Sequence, residues 1–262
     1  MKLKSTFNRS IFIDSSNIEE IIKWDDIGII DGVTTNQYIF LKEGIKIKNI
    51  KKLLKNICQV MKERPVSVEL TNSQSSIKEM LLEAKQLNNI AENIVIKVPL
   101  IPNTDKSLIV IKNLIKNKIS VNVTTMMTFE QLILAILATR KSSPTSFVSL
   151  FWGRTIDDHA KYRSRSDFMA KYPFVGTESE INSSPHNIIE ATANFIREGN
   201  YQNPKIIVGS IRTASMVGEA FAAGSHIVTV TPQVLSAMLF SQRTIETINQ
   251  FDDAWRQLQS KK

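Results

Sequence analysis

The sequence is poor in cysteine and contains no long apolar run, and these two absences exclude several classes of protein. Cys58 is the only cysteine among the 262 residues, so neither a disulfide framework nor a cysteine-rich metal site is expected. No apolar run is long enough to span a membrane. The N-terminus carries positive charge, but no apolar core of signal-peptide length follows it. We therefore expect a cytoplasmic protein.

Three other signatures are missing. The chain has neither a G-x-G-x-x-G turn nor a P-loop, which disfavours a nucleotide-binding sheet. Its three histidines, His159, His186 and His226, do not have the spacing of metal ligands, so we assign no metal. The net charge of +8 is spread along the chain without interleaved aromatics, which disfavours nucleic-acid binding. The densest basic run, residues 46–55, reads as the solvated face of a helix.

Residues 94–100, Ile-Val-Ile-Lys-Val-Pro-Leu, are the segment that points most directly to chemistry. Such an apolar run is typical of a strand buried on both faces, as in a parallel sheet covered by helices. Lys97 lies in its middle, and burial favours the neutral amine, which is the form that attacks carbonyls. Pro99 ends the strand because it lacks the N–H that a central ladder needs. The alternative is an edge strand whose lysine head lies in solvent.

Eight apolar segments, each followed by a helical pattern, predict a single-domain α/β protein, a closed (β/α)8 TIM barrel over residues 1–262. The predicted strands are residues 11–14, 32–36, 65–70, 94–100, 119–124, 147–151, 205–210 and 226–231. An additional C-terminal helix contains Phe251 and Trp255. The longest irregular stretch, residues 155–184, is predicted to be an insertion that could cap the mouth of the barrel. An open doubly wound sheet is the competing architecture.

Polar side chains lie at the ends of most predicted strands. On a barrel these ends converge on one mouth, so the residues form one candidate site. The set is Asp14, Asn36, Glu69, Lys97, Asn122, Thr124, Ser149, Arg154, Ser210 and Arg212, with Phe151 beside them. An amine near two carboxylates indicates Schiff-base catalysis, in which the acids move protons. Two arginines at one mouth indicate a bound phosphate.

Each of these residues also has a purely structural interpretation. Asp14 could cap the following helix, and Glu69 could be a surface acid. Asn36 and Thr124 could satisfy loop backbone groups, Ser149 could be a small core residue, and Phe151 could be packing. Arg154 and Arg212 could pair with Asp157 or Glu219 at the rim, a contact worth little. Only the joint pattern around a buried lysine favours the catalytic interpretation.

The residues resemble the transaldolase family, including its fructose-6-phosphate aldolase branch. The resemblance rests on FIDSSN at residues 12–17, DGVTTN at 31–36, IVIKVP at 94–99, VNVT at 121–124, VSLFWGR at 148–154 and SIR at 210–212. These segments stand in the family's order, and the resemblance extends to Trp255. It implies transfer of a dihydroxyacetone unit from a ketose phosphate, sedoheptulose 7-phosphate or fructose 6-phosphate, to an aldose phosphate. This is chemistry of the pentose phosphate pathway type.

The resemblance also implies residue roles. Lys97 would form the Schiff base, Asp14 would accept the C4 hydroxyl proton, and Glu69 and Thr124 would move protons through a held water. Substrate-binding residues would be Asn36, Asn122, Ser149 and Phe151 for the dihydroxyacetone unit, with Arg154, Ser210 and Arg212 for the phosphate. No cofactor or metal is needed. Partners would be sugar phosphates and further copies of the chain, in a homo-oligomer, with neither nucleic acid nor membrane.

Three positions bear on whether the resemblance is to a transferase or to a lyase. The aldolase branch usually has Gln for Glu69, Ala for Ser149 and Tyr for Phe151, so this chain resembles the transaldolases at all three. Gln37 replaces a usual proline and Trp152 a usual valine, which leaves open a specialised transaldolase for a non-standard sugar. A fructose-6-phosphate aldolase-type lyase and a catalytically silent barrel that serves as a scaffold are the remaining alternatives.

Overall fold

The structure is a computed structural model that describes residues 7–163 and 179–260. Eight parallel strands close into a barrel in sequence order, because β1 pairs with both β2 and β8. The strands are β1 Ser10–Asp14, β2 Ile30–Thr34, β3 Val66–Glu69, β4 Ile94–Pro99, β5 Val121–Met126, β6 Phe147–Phe151, β7 Lys205–Gly209 and β8 Ile227–Val230. The prediction of a single-domain (β/α)8 barrel is confirmed, and with it the order of all eight strands.

Helices surround the barrel, and all of them except the last bury residues. They are α1 Ile18–Asp26, α2 Gln37–Lys42, α3 Ile47–Met61, α4 Ile77–Asn88, α5 Lys106–Lys116, α6 Phe129–Thr139, α7 Trp152–Asp158, α8 Pro185–Glu198, α9 Ala214–Ala222, α10 Pro232–Ala237 and α11 Gln242–Gln259. In α3, Leu54 and Ile57 are fully buried while Lys51, Lys52 and Lys55 are exposed. The interpretation of residues 46–55 as the solvated face of a helix is therefore confirmed.

Apolar side chains fill one end of the barrel interior. Phe7 packs edge-to-face on Phe12 and Phe147, with ring centroids 5.5 and 5.6 Å away. This cluster consists of Phe7, Phe12, Val95, Phe147, Ile207 and Ile227, all of them buried. Polar side chains can therefore collect only toward the opposite end of the interior, where the strands finish.

Local capping sets where two helices begin. The pair Asn72-Ser73 predicts a helix start, but α4 begins at Ile77, because Ser76 and Glu79 form a reciprocal capping box there. The short helix α2 was not predicted at all. It begins directly after Asn36, whose side-chain oxygen accepts from the Ile39 backbone N–H at 2.9 Å.

The stretch 155–184 is more regular than predicted where the structure describes it. It begins inside α7, continues as a π-helical turn, His159–Arg163, and includes a 3₁₀ turn, Ile181–Ser183. Residues 164–178 lie outside the described part of the chain. The lid function of this stretch stays a prediction.

The C-terminal helix α11 is present as predicted, and none of its residues is buried. Phe251 and Trp255 are 68% and 62% exposed. Among the helices of the described ranges, none combines the length and the apolar character needed to cross a membrane.

His226 lies just before β8, at the end of the barrel where the strands begin. Its Nδ1 accepts a hydrogen bond from the Ile206 backbone N–H at 3.2 Å. Burial, together with the nearby charges of Lys205 and Arg9, lowers the pKa of His226 from 6.5 to about 4. The folded state therefore holds a neutral imidazole at pH values where the unfolded chain would bind a proton.

We expect His226 to make stability pH-dependent in one direction. Because the folded pKa lies below the unfolded one, stability is full above about pH 6.5 and falls as the pH decreases toward 4. Between pH 7 and pH 5 the loss from this group is about 2 kcal/mol. In His226→Asn, the Asn Oδ1 can replace Nδ1 as the hydrogen-bond acceptor. Between pH 7 and pH 5 the free energy of unfolding in urea should therefore fall by about 2 kcal/mol less in this variant than in the wild type. His186→Asn, at an exposed histidine, is the control, and equal pH slopes in wild type and His226→Asn would contradict the prediction.

Candidate active site

A cavity of about 820 Å³ opens at the C-terminal ends of the strands. The sequence-predicted residues that line it are Asp14, Asn36, Glu69, Lys97, Asn122, Thr124, Ser149, Phe151, Arg154 and Ser210. Arg212 is not among them. The structure thus brings ten of the eleven candidates to one mouth, drawn from five strands, from the residues that follow β2 and β7, and from α7.

Lys97 lines this cavity, and its side chain is only 5% exposed. Its Nζ is 3.2 Å from Oε2 of Glu69 and donates to the Thr35 carbonyl oxygen at 3.1 Å. The strand register sets this pairing, because Glu69 and Lys97 are direct partners on β3 and β4. The alternative of a lysine head in bulk solvent does not hold, and Glu69 is likewise not a surface acid.

Asp14 ends β1 and faces the same cavity. Thr34 donates to its Oδ1 at 2.6 Å, and the Thr34 hydroxyl is also 2.6 Å from that of Thr229. Burial raises the pKa of Asp14, and the Lys97 ammonium and the Thr34 hydrogen bond oppose this rise. The alternative role as a helix cap is wrong, because Asn17 caps α1.

Asn122 and Ser149 form a hydrogen-bonded pair beside the lysine. The Ser149 hydroxyl donates to Oδ1 of Asn122 at 2.6 Å, and Asn122 Nδ2 lies 3.4 Å from the Ser67 hydroxyl. Asn122 is the register partner of Lys97 on β5, so its amide lies next to the amine. Ser149 therefore orients a buried amide and is more than a tolerated small residue.

A backbone irregularity places Thr124 and Thr125 together at the cavity. The β5–β6 register shifts between Val123 and Met126, and Thr125 has φ +64°, which is unusual for a β-branched residue. Consecutive strand residues normally face opposite sides, yet both threonines line the cavity. Within the described part of the chain, the buried Thr124 hydroxyl has no hydrogen-bond partner. It can therefore take one from a bound water or substrate.

Asn36 serves as a cap and also lines the cavity. Its side-chain oxygen accepts a hydrogen bond from the backbone of α2, which confirms the structural interpretation. Its amide nitrogen makes no hydrogen bond to any residue between 7 and 163 or 179 and 260. A donor of this kind can still face a ligand. The structural and the binding interpretations of Asn36 are therefore compatible.

The arginines lie at the rim, and the structure separates them. Arg154 is exposed and lines the cavity. Arg212 instead binds Asp157 through both terminal nitrogens, at 3.2 and 2.5 Å, as its alternative interpretation held. Gly153 makes this arrangement possible, because a Cβ there would come within 2.6 Å of Arg212 Nε and of the Ser210 carbonyl oxygen.

Sequence reasoning missed four cavity residues that act on the candidates. Thr34 donates to Asp14 and contacts Thr229, and Gln37 donates to the carbonyl oxygens of Glu69 and Leu70 at 3.3 and 2.8 Å. The fourth is Glu43, at the end of the unpredicted helix α2. Thr34 lies within the segment at residues 31–36 that carries the family resemblance, and Gln37 follows it directly. Thr229 and Glu43 lie outside every such segment, and only the fold brings them to this site.

The arrangement suits carbonyl chemistry with proton transfer. It combines a buried amine, one carboxylate in contact with that amine, a second carboxyl with a raised pKa, and neutral donors between them. Among residues 7–163 and 179–260, no group of three or more His, Cys, Asp or Glu side chains has metal-binding geometry.

Comparison with known proteins gives a consistent result. A family model described as Transaldolase/Fructose-6-phosphate aldolase matches residues 11–262. A protein of Bartonella henselae named "Probable transaldolase" is 32% identical over 94% of this chain and 95% of its own length. A protein of Clostridium kluyveri with the same name is 32% identical over 96% and 99%. A crystal structure of type I 3-dehydroquinate dehydratase from Clostridium difficile matches 87% of this chain and 85% of its own, with a TM-score of 0.52. Because the two sequences are only 12% identical, this match shows a shared barrel fold alone.

Proposed function

The chain belongs to the transaldolase/fructose-6-phosphate aldolase family and is an enzyme of that type; on this premise we propose that it transfers a dihydroxyacetone unit between sugar phosphates. The donor is a ketose phosphate such as sedoheptulose 7-phosphate or fructose 6-phosphate, and the acceptor is an aldose phosphate. The observation that carries the proposal is the buried Lys97 amine in contact with Glu69 at the bottom of the cavity.

The first step is condensation of Lys97 with the C2 carbonyl of the donor. The ammonium must first lose a proton, and Glu69, 3.2 Å from Nζ, is the acceptor in contact with it. The free amine then attacks C2 to give a carbinolamine, and loss of water gives an iminium ion. The unpartnered Thr124 hydroxyl supports a role in holding the water that carries protons between Glu69 and the leaving oxygen.

The second step breaks the C3–C4 bond. Asp14 accepts the proton of the C4 hydroxyl, and the bonding electron pair moves onto the iminium to give an enamine while the aldehyde leaves. A raised pKa makes Asp14 a stronger base than an ordinary aspartate, which suits this task. Attack of the enamine on the acceptor aldehyde reverses the same steps.

Binding groups surround these two steps. Asn122 and Ser149 lie beside the amine, where they can hold the hydroxyls of the dihydroxyacetone unit together with Asn36, and Phe151 forms part of the wall. For the phosphate we propose Arg154 and Ser210 at the rim. Arg212 is paired with Asp157 and does not line the cavity, so it joins them only if its side chain reorients.

Transfer is favoured over simple cleavage by the residues at three positions. Glu69 is a carboxylate, Ser149 carries a hydroxyl, and Phe151 supplies no hydroxyl that could protonate the enamine. The named relatives are also called transaldolases. A fructose-6-phosphate aldolase-type lyase is the second candidate, and a transaldolase for a non-standard sugar remains an alternative because Gln37 alters the wall of the cavity.

We also propose that α11 forms the contact of a homo-oligomer with a second copy of the chain. The helix buries none of its own residues, yet it carries an apolar stripe at helical spacing. The stripe consists of Ile245, Ile248, Phe251, Trp255 and Leu258, each between 44% and 68% exposed. A surface of this kind is stable in water when a partner covers it.

The Schiff base is tested by reduction. Borohydride treatment with fructose 6-phosphate should add one reduced sugar fragment to the peptide that contains Lys97, as seen by mass spectrometry. Lys97→Met should remain folded by circular dichroism and give no adduct. Lys42→Met, at another lysine that lines the cavity, is the matched control and should keep the adduct on Lys97. Turnover in Lys97→Met would refute the mechanism.

Transfer and cleavage are separated by their products. With fructose 6-phosphate and erythrose 4-phosphate, sedoheptulose 7-phosphate should form faster than free dihydroxyacetone is released. Glu69→Gln should lower transfer by roughly 10²- to 10⁴-fold, since an amide cannot accept the proton of Lys97. Dominant release of dihydroxyacetone by the wild type would identify the enzyme as a lyase.

Self-association is tested by sedimentation velocity. The wild type should sediment as an oligomer at micromolar concentration, and Phe251→Ser combined with Trp255→Ser should shift it toward the monomer because the apolar contact is lost. Asn249→Ser, on the same helix but outside the stripe, serves as the control. A monomeric wild type, or an unchanged oligomer in the double variant, would argue against this surface.

A further inference from the structure

Glu43 is a carboxylate at the mouth that the proposed reaction does not use. It follows α2 directly and lines the cavity that also contains Asp14. Its side chain turns back to the segment that follows β1, where Ser15 and Ser16 are fully buried. The acid therefore connects the end of one βα unit to the residues next to Asp14 in another.

Neutral donors hold this carboxylate in place. The Ser15 hydroxyl donates to Oε1 at 2.7 Å, the Ser16 backbone N–H donates to Oε2 at 2.8 Å, and the Ser16 hydroxyl donates to Oε2 as well. Ser15 is itself fixed, because it accepts from the Asn17 backbone N–H at 3.0 Å. None of the ion pairs within the described ranges includes Glu43. Its negative charge is thus immobilised without being neutralised by a cation.

We propose that Glu43 is a positioning residue for Asp14: held by Ser15 and Ser16, it fixes the turn that follows Asp14 at the end of β1 and keeps a negative charge at the cavity that Asp14 lines. This rests on the proposed role of Asp14 as the proton acceptor in bond cleavage.

The charged groups that line the cavity together with Asp14 are Lys42, Glu43, Glu69, Lys97 and Arg154. Lys97 on β4 favours the carboxylate, and Glu69 on β3 is the ion-pair partner of Lys97. Glu43, after α2, disfavours the carboxylate and so raises the pKa of Asp14 in the same direction as burial. The hydroxyl that contacts Asp14 is the uncharged one of Thr34 on β2, which in turn contacts the hydroxyl of Thr229 on β8. Glu43 thereby offsets part of the effect of Lys97.

Titration of Asp14 tests the inference without relying on turnover. The carboxyl ¹³C resonance of Asp14, assigned as the one absent in Asp14→Asn, should titrate at lower pH in Glu43→Gln than in wild type. Glu19→Gln removes one charge from an exposed site on α1 and should leave the midpoint unchanged. Ser16→Ala removes one donor but keeps the charge, so it should shift the midpoint less than Glu43→Gln does.

Turnover supplies the second measurement. In Glu43→Gln the acid limb of kcat/KM should move to lower pH, with KM unchanged and the plateau of kcat lower by on the order of two- to tenfold, because a weaker base accepts the proton less readily. An unshifted Asp14 midpoint in Glu43→Gln, or an equal shift in Ser16→Ala or Glu19→Gln, would overturn the inference. A wild type without transfer or cleavage would refute the proposed function instead, while the titration would still decide the role of Glu43.

Discussion

The contact between the Lys97 ammonium and the Glu69 carboxylate is the interaction on which the site depends. Two ions that are almost completely buried cost several kcal/mol each to remove from water, and their mutual attraction offsets this only with good geometry and further hydrogen bonds. The Thr35 carbonyl supplies one such bond to Lys97. A buried pair of this kind is a poor way to gain stability. Its position in the lining of an open cavity fits the proposed chemistry, which needs the amine and a proton acceptor side by side.

The barrel provides the geometry that this contact needs. Parallel strands in a fixed register place Glu69, Lys97 and Asn122 next to each other across β3, β4 and β5. The aromatic cluster around Phe12 and Phe147 fills the other end of the interior, so polar groups face only the cavity. Closure of the sheet leaves no strand edge that could move away. The strands therefore fix Glu69, Lys97 and Asn122 relative to each other, while Arg154 and Arg212 lie at the rim.

The sequence was sufficient for the fold and for most of the site, because both depend on local signals. The apolar run around Lys97 indicates a buried strand, and polar residues at strand ends converge once the strands close. What it did not reveal depends on contacts between distant segments. Arg212 binds Asp157 instead of lining the cavity, and Ser149 orients Asn122, yet neither pairing has a signature in the spacing of residues. Glu43 reaches Ser15 and Ser16 only because α2 returns toward β1, and that short helix was not predicted.

The most direct test of this account is a crystal structure of the enzyme reduced with borohydride in the presence of fructose 6-phosphate. We predict continuous electron density from Lys97 Nζ to C2 of the bound fragment, with Glu69 released from its contact with a free ammonium and Asp14 facing the carbon chain where the bond is broken. Density for an unmodified Lys97 still paired with Glu69, or a sugar fragment on another lysine, would contradict it.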